Sequence, residues 1–353
     1  MSANRMKAAV LQTVGHPLGL LVDIDVPEPQ RGQVLVKLAF SGVCHSQIME
    51  ARGFRGVDPY VPHLLGHEGS GIVSAIGSEV SKVGVGDRVV LTWIKGNGID
   101  SGGCKYTHHG HAINAGGVTT FNEYALVSEN RVVRLPEGVP MDVAVLFGCA
   151  LLTGGGAVLN ELQPGPDHSI AIFGLGGIGL CALMTAASIP CRQIIAVDIS
   201  EQKLMLAREL GATHCINGAM TDAAAEILSL SGGMGVDYAL DASGSVSVIE
   251  AAFKAVRRGG GLCVFASHPA NDARISIDPY ELICGKRIQG SWGGGSRPDR
   301  DIPRFAGLYR DGRLPLERLL TSRYLLDEIN LALNDLERGK VCRPLIVIDA
   351  DLA

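Results

Sequence analysis

The chain has 353 residues, and at roughly 150 residues per domain it is expected to fold as two domains rather than one. Apolar residues make up 46% and charged residues 19%, enough to build packed cores and to exclude a disordered chain. With 31 basic against 36 acidic side chains the formal net charge is −5, so there is no basic footprint for nucleic acid or an anionic membrane, and a small-molecule partner is expected.

In chain order, the start carries Arg5 and Lys7 and too short an apolar run for a signal-peptide core. Short strands punctuated by glycine and proline are predicted at 8–11, 33–40, 71–76, 88–91 and 124–127, which makes the first 150 residues β-rich. From Ser169 the pattern changes to strand, turn and helix in repetition. Strands are predicted at 170–173, 193–197, 215–217, 238–241, 261–265 and 287–290. Helices alternate with them at 178–187, 201–210, 223–230 and 246–256. This alternation predicts an α/β fold with a doubly wound parallel sheet. Gly293 to Gly295 read as a hinge, and the segments beyond it, ending in a strand at 345–348, are expected to rejoin the first domain. The predicted division is therefore 1–149, 150–292 and 293–353. The window 170–189 is free of charge and long enough to span a bilayer, but its cluster of glycines points to a turn instead.

Nine cysteines, at 44, 104, 149, 181, 191, 215, 263, 284 and 342, form no C-x-x-C pair and are odd in number. Free thiols and a cytoplasmic location are expected.

The sharpest motif is Gly174-Leu175-Gly176-Gly177-Ile178-Gly179, between a predicted strand and a predicted helix, with Asp198 at the end of the next strand. Glycines there allow a tight turn and let backbone amides approach a pyrophosphate at the helix N-terminus, and an acidic residue about twenty positions on bonds ribose hydroxyls. Asp198 argues for NAD over NADP, since its carboxylate repels a 2′-phosphate. A second group is dispersed: Cys44 in Gly42-Val43-Cys44-His45-Ser46, His67 in Gly66-His67-Glu68-Gly69, and Cys149 in Gly148-Cys149-Ala150. Spacing alone does not join these residues, because cysteine is commonly a small buried hydrophobe and a lone histidine an ordinary polar residue.

Together with Gly86-Asp87-Arg88-Val89, these motifs stand in the order and spacing of the zinc-dependent medium-chain alcohol dehydrogenases, which the sequence resembles from Met6-Lys7-Ala8-Ala9-Val10 to its last strand. The resemblance implies a GroES-like catalytic domain into which a Rossmann NAD-binding domain is inserted. It also implies one catalytic zinc per chain, held by Cys44, His67 and Cys149, a Cys₂His set that leaves a position open for the alcohol. Zinc as a Lewis acid then favours the alkoxide, and hydride passes from carbon to the nicotinamide. Ser46 matches the hydroxyl that accepts the alcohol proton and Glu68 the carboxylate beside the metal. His45 and Arg343 match basic residues against the pyrophosphate. Lys203 matches a residue at the adenosine ribose, and Thr153 a further cofactor contact.

Departures from the family pattern matter as well. The stretch 92–120, where many relatives carry four cysteines around a structural zinc, holds only Cys104, so that second site is not expected. His108, His109 and His111 in the same stretch read as a polar loop that binds metal only adventitiously, with a substitute metal site beside Cys104 or a contribution to proton transfer as the alternatives. Gln47 replaces an aspartate expected behind His67, and its amide oxygen is expected to orient the imidazole; Met49 replaces a histidine that ends the proton relay. The implied function is interconversion of an alcohol with its aldehyde or ketone. Two competing readings are a zinc-free quinone-type C=C reductase on the same scaffold and a non-catalytic NAD-binding protein. Substrate identity is not written in these residues. A homodimer through the apolar segments 262–266 and 288–292 is expected, tetramers also occurring in the family.

Overall fold

A computed structural model describes residues 5–352 of the chain. Eighteen strands follow one another among these residues. They are β1 (Arg5–Leu11), β2 (Gly19–Asp25), β3 (Gln33–Gly42), β4 (His63–Leu64), β5 (Glu68–Ile76), β6 (Arg88–Thr92), β7 (Lys105–His108), β8 (His111–Asn114), β9 (Tyr124–Ser128) and β10 (Val132–Arg134). The series continues with β11 (Ser169–Phe173), β12 (Gln193–Asp198), β13 (His214–Asn217), β14 (Tyr238–Asp241), β15 (Leu262–Phe265), β16 (Arg287–Gly290), β17 (Arg323–Leu325) and β18 (Leu345–Val347).

The chain divides into two compact units. The first comprises residues 1–149, 297–310 and 316–353, and the second residues 150–296 and 311–315. In the first, β1, β2, β7, β8 and β4 close a barrel, and a second sheet runs β10-β6-β5-β3-β18-β17 with β9 also paired to β3. Strand β3 is buried along nearly its whole length because it is paired on both sides, with β5 and β9 and then with β18 from the C-terminal segment. Alternating Val34, Val36 and Leu38 meet Val73, Val89, Leu91 and Val127 on one side of this sheet. That is the two-residue period expected of a strand with one face in a core.

Strands expected in this region fall within β1, β3, β5, β6 and β9. The stretch expected to be a polar loop is different: it holds the hairpin β7-β8, whose strands pair from Lys105↔Asn114 to His108↔His111. Tyr106 and Ile113 point into the barrel core, and the turn residues His109 (φ 50) and Gly110 (φ 80) both take positive φ. Such a two-residue turn matches the twist of a hairpin, and the alternation of inward Tyr106 and Ile113 with polar neighbours supplies the strand signal.

The second unit is a six-stranded sheet in the order β13-β12-β11-β14-β15-β16, every pair parallel. Ala171, Phe173, Ile195, Val197, Ala239 and Cys263 pack from its strands against Ile227, Ala252, Phe253 and Val256. The order reverses between β11 and β14, so the turn after β11 lies at the switch point where open α/β sheets bind ligands. The charge-free window 170–189 resolves into β11 and the 11-residue helix Gly177–Ala187. No single helix among the described residues is long and apolar enough to cross a membrane.

Candidate functional site

Three turns in the first unit bring Cys44, His67 and Cys149 together. Cys44 is the N-cap of the helix His45–Ala51. His67 follows Gly66, whose φ of +90 and the backbone nitrogens of Thr120 and Phe121, at 2.8 and 2.9 Å from where a Cβ would stand, leave room for glycine only. Cys149 follows Gly148, where a Cβ would lie 2.7 Å from that of Glu68. One donor atom from each of Cys44, His67 and Cys149 lies within 4.8 Å of the others. Both cysteines are buried, at 7% and 4% exposure. His67 Nε2 is buried with no hydrogen-bond partner, the condition of a nitrogen reserved for a metal.

The electrostatics agree with a cation-binding pocket. Hydrogen bonding with Cys149 holds the Cys44 thiol well below the usual thiol range, with help from Arg343 and His67 and against the effect of burial. The same hydrogen bond, reinforced by burial, pushes Cys149 well above that range. The thiolate form is therefore favoured at Cys44 over Cys149, and a thiolate is the form of cysteine that binds a metal.

Behind the sulfurs, Glu68 is fully buried and receives a hydrogen bond from the Arg343 guanidinium, itself 3% exposed. Burial raises the Glu68 carboxyl above its ordinary value despite Arg343. Arg343, expected against the pyrophosphate, thus has one nitrogen on Glu68, while its buried Nε is without a partner. Sequence reasoning missed this pair, although a glutamate flanked by buried glycines and histidine needs a basic partner. Ser46 Oγ lies 3.2 Å from His67 Nδ1. His45 is exposed on the first turn of the same helix.

Gln47 corrects one expectation. Its amide oxygen is turned away from the imidazole and accepts the Cys44 backbone N–H at 2.8 Å, leaving the amide nitrogen against His67 Nδ1. The cause is helix capping: a glutamine at the third helical position reaches back to the N-cap N–H. Cys104 stays clear of metal chemistry. Its thiol donates to the Leu126 carbonyl at 3.3 Å, and burial pushes it up to about 11.

In the second unit, the glycine-rich turn carries the expected residues in one place. Gly174 takes φ +85, and a Cβ there would stand 2.8 Å from the Ser243 nitrogen beyond β14, so only glycine lets the two switch-point strands approach. Gly176 is the N-cap of the helix Gly177–Ala187 and makes no side-chain cap, and a Cβ there would meet nothing within 4 Å. Ile178 and Gly179 form its first turn. The Asp198 carboxylate accepts from Leu175 N at 2.6 Å and Ser200 N at 2.9 Å, with Lys203 Nζ 4.0 Å away. Thr153, on the helix Ala150–Gly156, is buried with an unpartnered hydroxyl.

Comparison with known proteins agrees with this geometry. Residues 30–137 match the alcohol dehydrogenase GroES-like domain, and residues 177–308 match the zinc-binding dehydrogenase family. The S-(hydroxymethyl)glutathione dehydrogenase of Synechocystis sp. is 32% identical over 97% of this chain and 99% of its own. The geraniol dehydrogenase of Castellaniella defragrans is 33% identical over 97% of both chains. Benzyl alcohol dehydrogenase from Acinetobacter calcoaceticus superposes with a TM-score of 0.89 at 33% identity, covering 98% of this chain and 100% of that one. The chain belongs to the zinc-dependent medium-chain alcohol dehydrogenases, oxidoreductases that bind zinc and NAD and interconvert alcohols and carbonyl compounds.

Proposed function

We propose that Cys44, His67 and Cys149 hold the single catalytic zinc of this enzyme. The observation that carries the reading is the buried, unpartnered Nε2 of His67 beside two buried sulfurs, with one donor atom from each residue within 4.8 Å of the others. Zinc, when bound, supplies Lewis acidity toward the alcohol oxygen, and NAD supplies the hydride acceptor. Ser46 takes the alcohol proton at Oγ, and Glu68 and Arg343 hold a neutral pair behind the sulfurs. In the second unit the amides from Gly174 to Gly179 hold the pyrophosphate and Thr153 offers its free hydroxyl to the cofactor. Asp198, with Lys203 beside it, meets the adenosine ribose and selects NAD. Residues 150–292 act as the cofactor domain, and 1–149 with 293–353 as the catalytic domain.

The compounds named in the three relatives each present a CH₂OH group, which supports a primary alcohol as the substrate class. The edge position of β16, with Ile283 and Trp292 exposed nearby, supports a homodimer in which the sheet continues across a two-fold axis. The test is NADH formation by zinc-loaded protein with primary, secondary, aromatic and polyol alcohols in parallel, with light-scattering mass on the same sample. Turnover confined to secondary alcohols or polyols would reject the substrate class, and equal turnover with NADP would reject the role of Asp198.

A further inference from the structure

A second cluster with metal-ligating chemistry lies in the first unit. Its members are Glu50 on the helix His45–Ala51, Asp58 in the loop that follows, and His63 in β4, each with a donor atom within 4.8 Å of the others. Each donor is anchored from behind by a group outside the cluster. His63 is buried, and its Nδ1 lies 2.9 Å from the Leu64 carbonyl, which only accepts hydrogen bonds, so Nδ1 carries the proton. Asp58 Oδ1 accepts the Tyr60 backbone N–H at 2.9 Å. Glu50 Oε2 faces Arg55 Nη1 at 3.6 Å. The remaining atoms of each side chain face one another: His63 Nε2 is 2.8 Å from Asp58 Oδ2 and 3.8 Å from Glu50 Oε1.

In a neutral imidazole with Nδ1 protonated, Nε2 presents a lone pair, and here it is directed at two carboxylate oxygens. Three electron pairs converge on one point, and only a cation between them makes that arrangement favourable. The occupant is either a proton on Nε2 or a metal ion. The two separations straddle the roughly 3.4 Å edge of a tetrahedron with bonds of about 2.1 Å, so a metal needs only small side-chain shifts. A ring N–H tied to a backbone carbonyl is also the usual support of a metal-bound histidine.

We propose that Glu50, Asp58 and His63 form a second, exchangeable site for a zinc-class divalent cation, completed by water. One imidazole nitrogen with two carboxylate oxygens suits zinc, cobalt or nickel better than calcium or magnesium. The half-buried carboxylates and the absence of thiolate make it weaker than the cysteine cluster. Its position gives it a purpose. Glu50 lies on the helix that Cys44 caps, and His63 precedes His67 by four residues, so the cation ties together the two segments that carry two of the three ligands of the proposed catalytic site.

Equilibrium dialysis against zinc, on full-length protein whose cysteine cluster is already loaded, should give a second equivalent that a chelator wash removes. Asp58→Asn and His63→Gln should each bring the uptake to one equivalent. Cys149→Ser should retain the equivalent bound at the new site. Should His63→Gln fail to fold, Glu50→Gln, at a partly exposed position, carries the same test and should weaken the second binding step at least tenfold. The proposal is overturned if no second equivalent appears at millimolar zinc and nitrogen-15 imidazole spectra show His63 protonated on Nε2. It is equally overturned if the second equivalent survives both Asp58→Asn and Glu50→Gln, which would locate it elsewhere, for instance on the His108 and His111 hairpin.

Discussion

The segments around Ser81 and Ile99 are held by one buried carboxylate, and the cost of its removal follows from the geometry. Glu129 is 1% exposed and accepts three backbone N–H groups: Ser81 at 2.6 Å and Lys82 at 2.7 Å on Oε1, and Ile99 at 2.9 Å on Oε2. Around it, Ser101 N donates to Ser128 Oγ and Gly96 N to the Asn130 carbonyl. In Glu129→Gln a single oxygen remains. Turned to Ser81 and Lys82, it leaves the Ile99 N–H facing an amide NH₂, a loss of about 1–3 kcal/mol, and the two surviving bonds lose charge assistance of about 1 kcal/mol each. Relief of the buried charge offsets part of this, so a net destabilisation of about 2–4 kcal/mol is expected. For a unit of this size that is roughly 5–12 °C in melting temperature.

The pH dependence fixes the sign. Burial raises the Glu129 carboxyl, but the N–H groups of Ile99, Ser81 and Lys82 outweigh it and hold the group below its ordinary value of 4.5. A group depressed in the folded state stabilises fully above its unfolded pKa and loses that contribution as pH falls through the folded one. Urea denaturation of wild type and Glu129→Gln should therefore show a constant gap from neutral pH to about 5 and a narrowing gap below it. A gap under about 1 kcal/mol at pH 7, or one that widens in acid, would refute the carboxylate as the organiser of these segments.

Cys149→Ala should retain no zinc after chelator wash and oxidise no alcohol, because two remaining protein ligands hold the metal poorly; elemental analysis checks it, with wild type retaining one equivalent. Asp198→Gly should raise the Kd for NAD and relax discrimination against NADP, measured by fluorescence titration with both reduced cofactors, since the substitution removes the anion and frees the Leu175 N–H it now accepts. Met49→His should raise alcohol oxidation near pH 7 and shrink the gain at alkaline pH. General base assistance is typically worth about a hundredfold or more, and an unchanged pH profile would exclude a relay through this position.

Much of this was legible in the residues, for identifiable reasons. The parallel sheet announces itself because each strand is an apolar run followed by a helical period, and the glycine turn because Gly174 stands where a side chain would block the approach of Ser243. The proposed metal ligands are legible only as a pattern of the family the sequence resembles, since His67 lies 23 positions after Cys44 and Cys149 lies 82 positions after His67 and nothing local ties them. Short barrel strands escaped notice where burial is carried by few residues. In β2 only Ile24 is fully buried, and β4 is two residues long. The helical run beginning at Met141 escaped too, because its buried segment from Ala144 to Val158 is apolar on every face and shows no amphipathic period. The orientation of Gln47 was invisible for another reason. It depends on which of two neighbours claims a single oxygen, and the helix N-terminus prevails because an uncapped N–H there has no alternative partner.

The same competition explains why the charges around the cysteine cluster come in the number they do. Cys44, Cys149, Glu68 and Arg343 are all buried, and an uncompensated charge among them would cost several kcal/mol. Glu68 and Arg343 neutralise each other through their direct contact, so they add no net charge to the pocket. The two sulfurs then require two positive charges if both are ionised, and His67, with Ser46 Oγ 3.2 Å from its Nδ1, adds no third anion. A dication satisfies this set and a monocation does not. At the proposed metal site Arg343 would act without touching the ion, by keeping Glu68 from standing as an unpaired anion. Its replacement by a neutral residue should disturb zinc affinity as much as stability.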